Sequence, residues 1–221
     1  MHHNQHRQPH PQTASETQGR TIRWAGHYDM VVKVLTFGRE KTLRAETIRH
    51  AGIPQGAVVL DVGCGTGTLT LMAKAQAGET GQVYGIDAAP EMIAVARQKA
   101  AQQGRRVDFQ TGLIEALPFA DASFDIVLSS LMFHHLPPEL KRSGLTEIYR
   151  VLKPGGRLLI IDMLRPATLM QHFTLTALVH HAATHDVYDL QPLMEQIGFE
   201  NQQSGAMSWR VLGFVQGSRP Q

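Results

Sequence analysis

The run VVLDVGCGTGTLTLMA over residues 58–73 constrains this chain more than any other stretch. A compact apolar segment ends in Asp61-Val62, a turn carries Gly63, Gly65 and Gly67 at every second position, and an amphipathic helical pattern follows at once. Glycines so placed let the backbone approach a ligand closely and aim the first N–H groups of the helix at it. Such a loop alone is weak evidence, since it can be no more than a tight turn; its place between a strand and a helix gives it weight. Loops that receive a pyrophosphate space their glycines G-x-G-x-x-G, and an acid aimed into one would repel the phosphates. Here the spacing is G-x-G-x-G with a carboxylate two residues earlier, which suits a ligand with a cationic end.

The surrounding rhythm sets the fold class. Strands are expected at 57–62, 82–87, 106–110, 124–130 and 156–163, and helices at 67–77, 90–103 and 138–152, because compact Val/Ile/Leu runs alternate there with Ala- and Gln-rich stretches. This is the pattern of βαβ units. Continuous apolar strands such as IVLSSL and RLLIID indicate a parallel sheet covered on both faces, and the right-handed crossover rule leads to a doubly wound α/β sandwich. Ligands in such sheets sit beyond the carboxyl ends of the strands, just after residues 62, 87, 111, 130 and 163. Two helices broken near Phe37-Gly38 precede the sheet. Beyond Pro166 a helix to about His181, a helix near 189–197 stopped by Gly198, and an antiparallel strand pair complete it.

At 221 residues the chain holds one domain with some surplus. Residues 1–20 contain almost no large apolar side chain and 4 of the 12 histidines, and are read as a disordered tail. The single domain over 21–221 then divides into an N-terminal helical gate (21–56), a ligand-binding core (57–163), a substrate cap (164–197) and C-terminal strands (198–221). The 21 basic residues against 19 acidic ones leave a nearly neutral body, and the longest basic run is Arg105-Arg106, so nucleic acid is not an expected partner. One cysteine, Cys64, excludes an internal disulfide and fits a reducing compartment. With neither an apolar run of about 18–20 residues nor a signal-peptide core, the expectation is a cytoplasmic protein.

Four ordered stretches carry a resemblance: DVGCGTG (61–67), GIDAAPEMI (85–93), EALPFADASFDIV (115–127) and LKPGGRLLIID (152–162). In them the chain resembles the class I S-adenosylmethionine-dependent methyltransferases over about residues 57–163. The resemblance implies a Rossmann-like fold, S-adenosyl-L-methionine as cofactor and a small-molecule substrate. Asp61 with Gly63, Cys64, Gly65 and Gly67 would then form the cofactor loop, the carboxylate facing the ammonium and sulfonium. Asp87, 26 residues on at a strand end, can accept both ribose hydroxyls, with Ala88 beside it and Met92 over the adenine. Leu113 aligns with the acid that the family uses for the adenine amino group, and it joins the pocket with Ile114 by position alone. Ser129 and Leu131 follow the fourth strand near the methyl donor. His134 and His135 are the candidate catalytic residues, as a general base or as hydrogen-bonding loop residues.

WAGHYDMVVKVLTFG (24–38) is similar to the entrance segment of the quinone-biosynthesis C-methyltransferases, where Tyr28 would be an aromatic wall near the sulfonium, worth roughly 0.5–2 kcal/mol, or a plain helix anchor. That group carries a Phe-Gly-Leu-Arg-Asn type segment where this chain has MFHHL (132–136), which leaves quinone-like and lipid-like acceptors both open. In the cap, LMQHFTLTALVHHAATHD (169–186) offers His180 and His181 to the substrate. His181 and His185 have a metal-ligand spacing, but a capping helix is preferred and no metal is expected. Its apolar face suits a pocket, a membrane surface or a second subunit, so peripheral membrane contact and a monomer or homodimer stay open. A nicotinamide-dependent oxidoreductase and a non-catalytic S-adenosylmethionine-binding protein are the alternatives.

Overall fold

The computed structural model describes residues 40–165 and 186–221. The tail, the first gate helix with Tyr28, and the cap helix with His172, His180, His181 and His185 lie outside the described residues.

The chain enters through helix α1 (Glu40–Ala51), then alternates β1 (Val58–Val62), α2 (Thr68–Ala77), β2 (Gln82–Asp87), α3 (Pro90–Gln102), β3 (Asp108–Thr111), β4 (Phe124–Ser130), α4 (Pro138–Val151) and β5 (Leu152–Met163). A 3-10 turn at Val187–Leu190, α5 (Gln191–Ile197), β6 (Glu200–Ala206) and β7 (Leu212–Ser218) follow. Seven strands form one sheet in the order β3-β2-β1-β4-β5-β7-β6. The five strands β1–β5 are parallel, while β7 runs antiparallel to both β5 and β6. This is the doubly wound, mostly parallel sheet with an antiparallel C-terminal pair that the sequence pattern implies.

Strand periodicity divides the core between the two faces. On β5, Leu158 and Ile160 join Leu145, Ile148 and Val151 of α4, whereas Leu159 and Ile161 join Leu43 of α1 and Ala73 of α2. α3 covers β3 through Ile93 and Ala96 against Phe109. The chain leaves β1 toward β2 and β3 and returns to β4 on the other side, so the sheet changes direction between β1 and β4. There Asp61 pairs with both Gly85 of β2 and Leu128 of β4. A crevice opens at such a switch point because the flanking helices depart to opposite faces.

Proline starts α3 and α4, and Gly198 at φ 110° ends α5. Boundaries differ from expectation by more than one residue in three places. β5 begins at Leu152, since Leu152 already pairs with Phe124 and the four residues Lys153-Pro154-Gly155-Gly156 bulge out before Arg157 pairs with Ile126. β3 starts two residues later, leaving Arg105 and Arg106 exposed in the preceding turn. The single helix expected near 189–197 is a 3-10 turn followed by a shorter helix. Among the described residues no helix is long and apolar enough to cross a membrane.

Candidate active site

The glycine loop is fastened to the end of β2: Gly63 N and Cys64 N both donate to the Ile86 carbonyl, at 2.8 and 3.0 Å. Gly63 and Gly67 have φ of 74° and 78°, a region in which a side chain is strained. Space excludes one as well. A Cβ on Gly63 would lie 2.5 Å from Met132 Cγ, and a Cβ on Gly67 would lie 2.7 Å from Phe109 Cζ and 2.8 Å from Ala96 Cβ. The Cys64 side chain packs under the loop with Leu71, Ile93 and Phe109, and burial pushes its thiol well above the usual range.

Asp61 is 1% exposed, and its Oδ2 accepts the Thr70 hydroxyl at 2.6 Å. Burial raises its carboxyl to about 6; the Thr70 bond and the Arg44 charge oppose that rise, and the neighbouring Asp87 adds to it. Arg44 reaches this spot from α1, where it also pairs with Glu40 at 2.8 Å. Arg44, Asp61, Gly63, Gly65, Ser130 and Leu131 line one small cavity. Sequence reasoning missed Arg44, because nothing local in EKTLRAETI distinguishes it from the other basic residues of that helix.

Asp87 closes the adjacent corner. Its Oδ2 accepts Gly65 N and its Oδ1 accepts Ala89 N, each at 2.9 Å. Burial raises its pKa and these two bonds work against the rise. Ala88 is half-buried beside it, and Met92 packs with Ala89 and Val95. Leu113, half-buried, forms a short antiparallel bridge with Ala116.

Two candidates sit elsewhere than expected. Ile114 is turned into the main core, where it fills the space over Gly144 of α4, because the bridge at Leu113–Ala116 reverses the chain. Ser129 is buried and donates to the Val62 carbonyl at 2.9 Å, tying β4 to β1; the alternation of the strand gives the cavity Ser130 instead.

Leu131 adopts φ 58°, uncommon for a residue with a side chain and often a mark of functional turns. The strained turn leads into the 3-10 segment Phe133–His135. His134 is buried there, with Nδ1 2.7 Å from Asp162 Oδ1 and its backbone N–H donating to Asp162 Oδ2 at 3.1 Å. Asp162, at the carboxyl end of β5, is fully buried and also accepts the Met163 N–H at 2.7 Å. The His135 ring lies 3.9 Å from that of His134, centroid to centroid. Lys141 of α4 stands close enough for Asp162 and Asp189 to hold up a pKa that burial lowers. Sequence reasoning missed Asp162 too; its one signal was a carboxylate ending an apolar strand where a parallel sheet places ligands.

Residues 59–156 match the methyltransferase domain family. The ubiquinone/menaquinone biosynthesis C-methyltransferase of Pseudoalteromonas translucida is 36% identical over 144 residues, 64% of this chain and 57% of that protein. The arsenite methyltransferase of Halobacterium salinarum is 38% identical over 156 residues, 68% of this chain and 39% of that protein. The chain thus spans less than two thirds of the length of either relative. A solved S-adenosylmethionine-dependent methyltransferase from Aquifex aeolicus superposes with a TM-score of 0.63 at 22% identity, covering 79% of this chain and 88% of that one. The sheet order and the glycine loop set between Asp61 and Asp87 thus accompany a similarity to the methyltransferase domain family over residues 59–156, a little under half of this chain.

Proposed function

We propose that the protein is an S-adenosyl-L-methionine-dependent methyltransferase acting on a small, quinone-like or lipid-like molecule. One observation carries this reading: a buried carboxylate, Asp61, and a guanidinium, Arg44, share a cavity with Gly65 and with Gly63, where a Cβ would clash with Met132. A zwitterionic amino-acid end bearing a further positive charge fits that donor set, with Asp61 taking the ammonium and Arg44 the carboxylate. Each oxygen of Asp87 accepts one N–H and has a second lone pair for a ribose hydroxyl. Ala88, Met92 and Leu113 would flank the adenine. The backbone of Gly63, Cys64, Gly65 and Gly67 would follow the ligand, with Leu131 beside it.

The bound cofactor supplies an electrophilic methyl group, so the protein's task is alignment, for which orientation can contribute about 7–11 kcal/mol. His134 would take the acceptor's proton, with His135 alongside. The gate over 21–56 with Tyr28 and the cap over 164–197 with His180 and His181 would enclose the acceptor. The match to an arsenite methyltransferase does not extend to that substrate: Cys64 is the one thiol of the sequence, and it is packed in the core.

Titration of the protein with S-adenosylmethionine and with NADH tests the cofactor, and preferential NADH binding overturns the reading. Incubation with methyl-labelled S-adenosylmethionine and a cell extract tests the reaction. Label is expected in a lipid or quinone fraction; label in none leaves a binding protein without turnover.

A further inference from the structure

Arg105-Arg106, the longest basic run of the sequence, has no part in the cofactor site. Because β3 begins only at Asp108, both arginines stand exposed in the turn that leads out of α3. This turn and the one between α2 and β2 together line a cavity of about 920 Å³. β2 and β3 are parallel neighbours, with Tyr84 opposite Asp108, so the cavity opens at the amino edge of the sheet. Asp87 ends the six residues of β2 on the opposite edge, about 17 Å from Gln82.

The walls of this cavity favour an anion. α2 ends here, and the carboxyl end of a helix is ordinarily negative. Its last carbonyls are taken up: Lys74 O accepts Gly78 N at 3.1 Å, Ala77 O accepts Gly56 N at 2.8 Å and Gln76 O accepts Gln55 Nε2 at 2.7 Å. The Lys74 ammonium, in a residue 8% exposed, donates to the carbonyls of Gly78, Glu79 and Gly81 at 2.9, 3.2 and 2.8 Å. An ammonium has three protons, so Lys74 adds a fixed positive charge to the wall and no free donor. Against Lys74, Arg105 and Arg106 stand two carboxylates, Glu79 and Asp108, and Asp108 already accepts Gln110 Nε2 at 2.9 Å. Donation falls to the two arginines. Arg97 of α3 is tied to the Phe109 carbonyl, and Arg150 of α4 to Glu147 and Asp121. Among the described residues no carboxylate or carbonyl engages the guanidinium of Arg105 or of Arg106.

We propose that this cavity is a second ligand site, which receives a soluble phosphorylated small molecule by its phosphate groups on Arg105 and Arg106. A guanidinium presents parallel N–H groups to two phosphate oxygens, and two such forks side by side suit a diphosphate better than a single carboxylate. The Thr80 hydroxyl lines the same cavity and supplies a further donor. The volume is that of a site for a nucleotide-sized ligand. Because this site and the glycine loop occupy opposite edges of the sheet, its ligand binds alongside S-adenosylmethionine and not in its place. The site depends on the fold alone and not on the methyltransferase reading above.

Calorimetry of the full chain with inorganic pyrophosphate, at about 0.15 M salt, reads the site directly. Saturable submillimolar binding is expected, and it should be at least tenfold weaker when Arg105→Gln and Arg106→Gln are combined, since both positions are exposed and the fold does not depend on them. Lys41→Gln combined with Arg49→Gln removes the same charge from two exposed positions of α1 and should bind as wild type does. Absence of saturable binding to wild type overturns the proposal, and so does binding within threefold of wild type once Arg105 and Arg106 are replaced. Equal losses in the two double variants would mean attraction by net charge alone and overturn it as well. Saturating S-adenosylmethionine should leave pyrophosphate affinity within threefold; competition would put the anion in the glycine loop and overturn the second site. ADP should bind at least as tightly as pyrophosphate. Capture by phosphatidylcholine vesicles carrying phosphatidic acid, without binding of ADP, would make this edge a lipid contact and overturn the small-molecule site. A chain that binds pyrophosphate but not S-adenosylmethionine would defeat the methyltransferase reading and leave this site standing.

Discussion

The Asp87 carboxylate binds the glycine loop of the preceding strand: its Oδ2 accepts the Gly65 N–H at 2.9 Å while its Oδ1 accepts the Ala89 N–H at the head of α3. One side chain thus sets the distance between the loop that would hold the methionine half of the cofactor and the helix that would flank the adenine half. Removing it takes away the tie and, with it, the proposed ribose contact. Asp87→Ala is expected to weaken S-adenosylmethionine binding by more than tenfold in calorimetry, and unchanged affinity would remove the ribose assignment.

Asp61 predicts a pH dependence whose sign is opposite to that of most carboxylates. Burial lifts it to about 6 from 3.8, so between those values the unfolded chain has released its proton and the folded one has kept it. Stability without cofactor therefore falls as pH rises from about 4 to about 6 and is level above that. A shift of that size corresponds to about 3 kcal/mol in order of magnitude. Cofactor affinity should move the other way, rising through the same window as the carboxylate ionises to meet an ammonium. Asp61→Asn should flatten both curves, raising the melting temperature of the free protein at pH 7 while lowering affinity at least tenfold. Melting curves from pH 4 to 8, with and without S-adenosylmethionine, check the pair of trends.

Much of this was readable from sequence where a local signal exists. β2 and β4 begin and end at the expected residues because apolar runs stop there at Asp87-Ala88-Ala89-Pro90 and at the Ser129-Ser130 step. Lys153-Pro154-Gly155-Gly156 reads as a turn, and only the pairing of Leu152 with Phe124 shows that the strand has already begun. By position Ile114 belongs to the pocket, and one bridge in the loop turns it into the core. Arg44 carries no local mark, and Asp162 only that of a carboxylate ending an apolar strand. The first is defined by Asp61, 17 residues away, and the second by His134, 28 residues away, so their roles exist only once the sheet brings β1, β4 and β5 side by side.

Gly67 gives a sharper steric prediction than the other loop glycines. It precedes α2 with φ 78°, and an added methyl group would press on both Phe109 and Ala96, neither of which can yield within the close-packed cluster under α3. Gly67→Ala should destabilise the protein by about 1–3 kcal/mol from overpacking, with the backbone strain adding to that. It should also weaken cofactor binding, because the loop shifts before the packed ring does. Denaturant unfolding and calorimetry measure the two effects, and an alanine variant of wild-type stability would mean that the loop is looser than its packing indicates.

The placement of Arg44 depends on a contact at the far end of the chain. Glu46, on the same helix and buried, accepts both the backbone N–H and the hydroxyl of Ser208 through Oε1, each at 2.9 Å, which ties α1 to the connection between β6 and β7. Arg157 of β5 closes the other end of the helix by donating to the Ala51 and Gly52 carbonyls. Glu46→Ala leaves two Ser208 donors without their acceptor, at a cost of about 1–3 kcal/mol, and frees the turn of helix that presents Arg44 to the cavity. Cofactor affinity should fall several-fold although Glu46 is not among the cavity-lining residues. Arg44→Ala should lower it further by removing the guanidinium itself. The two effects share one cause, so they should not add: Glu46→Ala combined with Arg44→Ala is expected to bind S-adenosylmethionine no more weakly than Arg44→Ala alone, while its stability loss stays close to that of Glu46→Ala. Additive losses in affinity would mean that Glu46 acts on the site by some route other than Arg44.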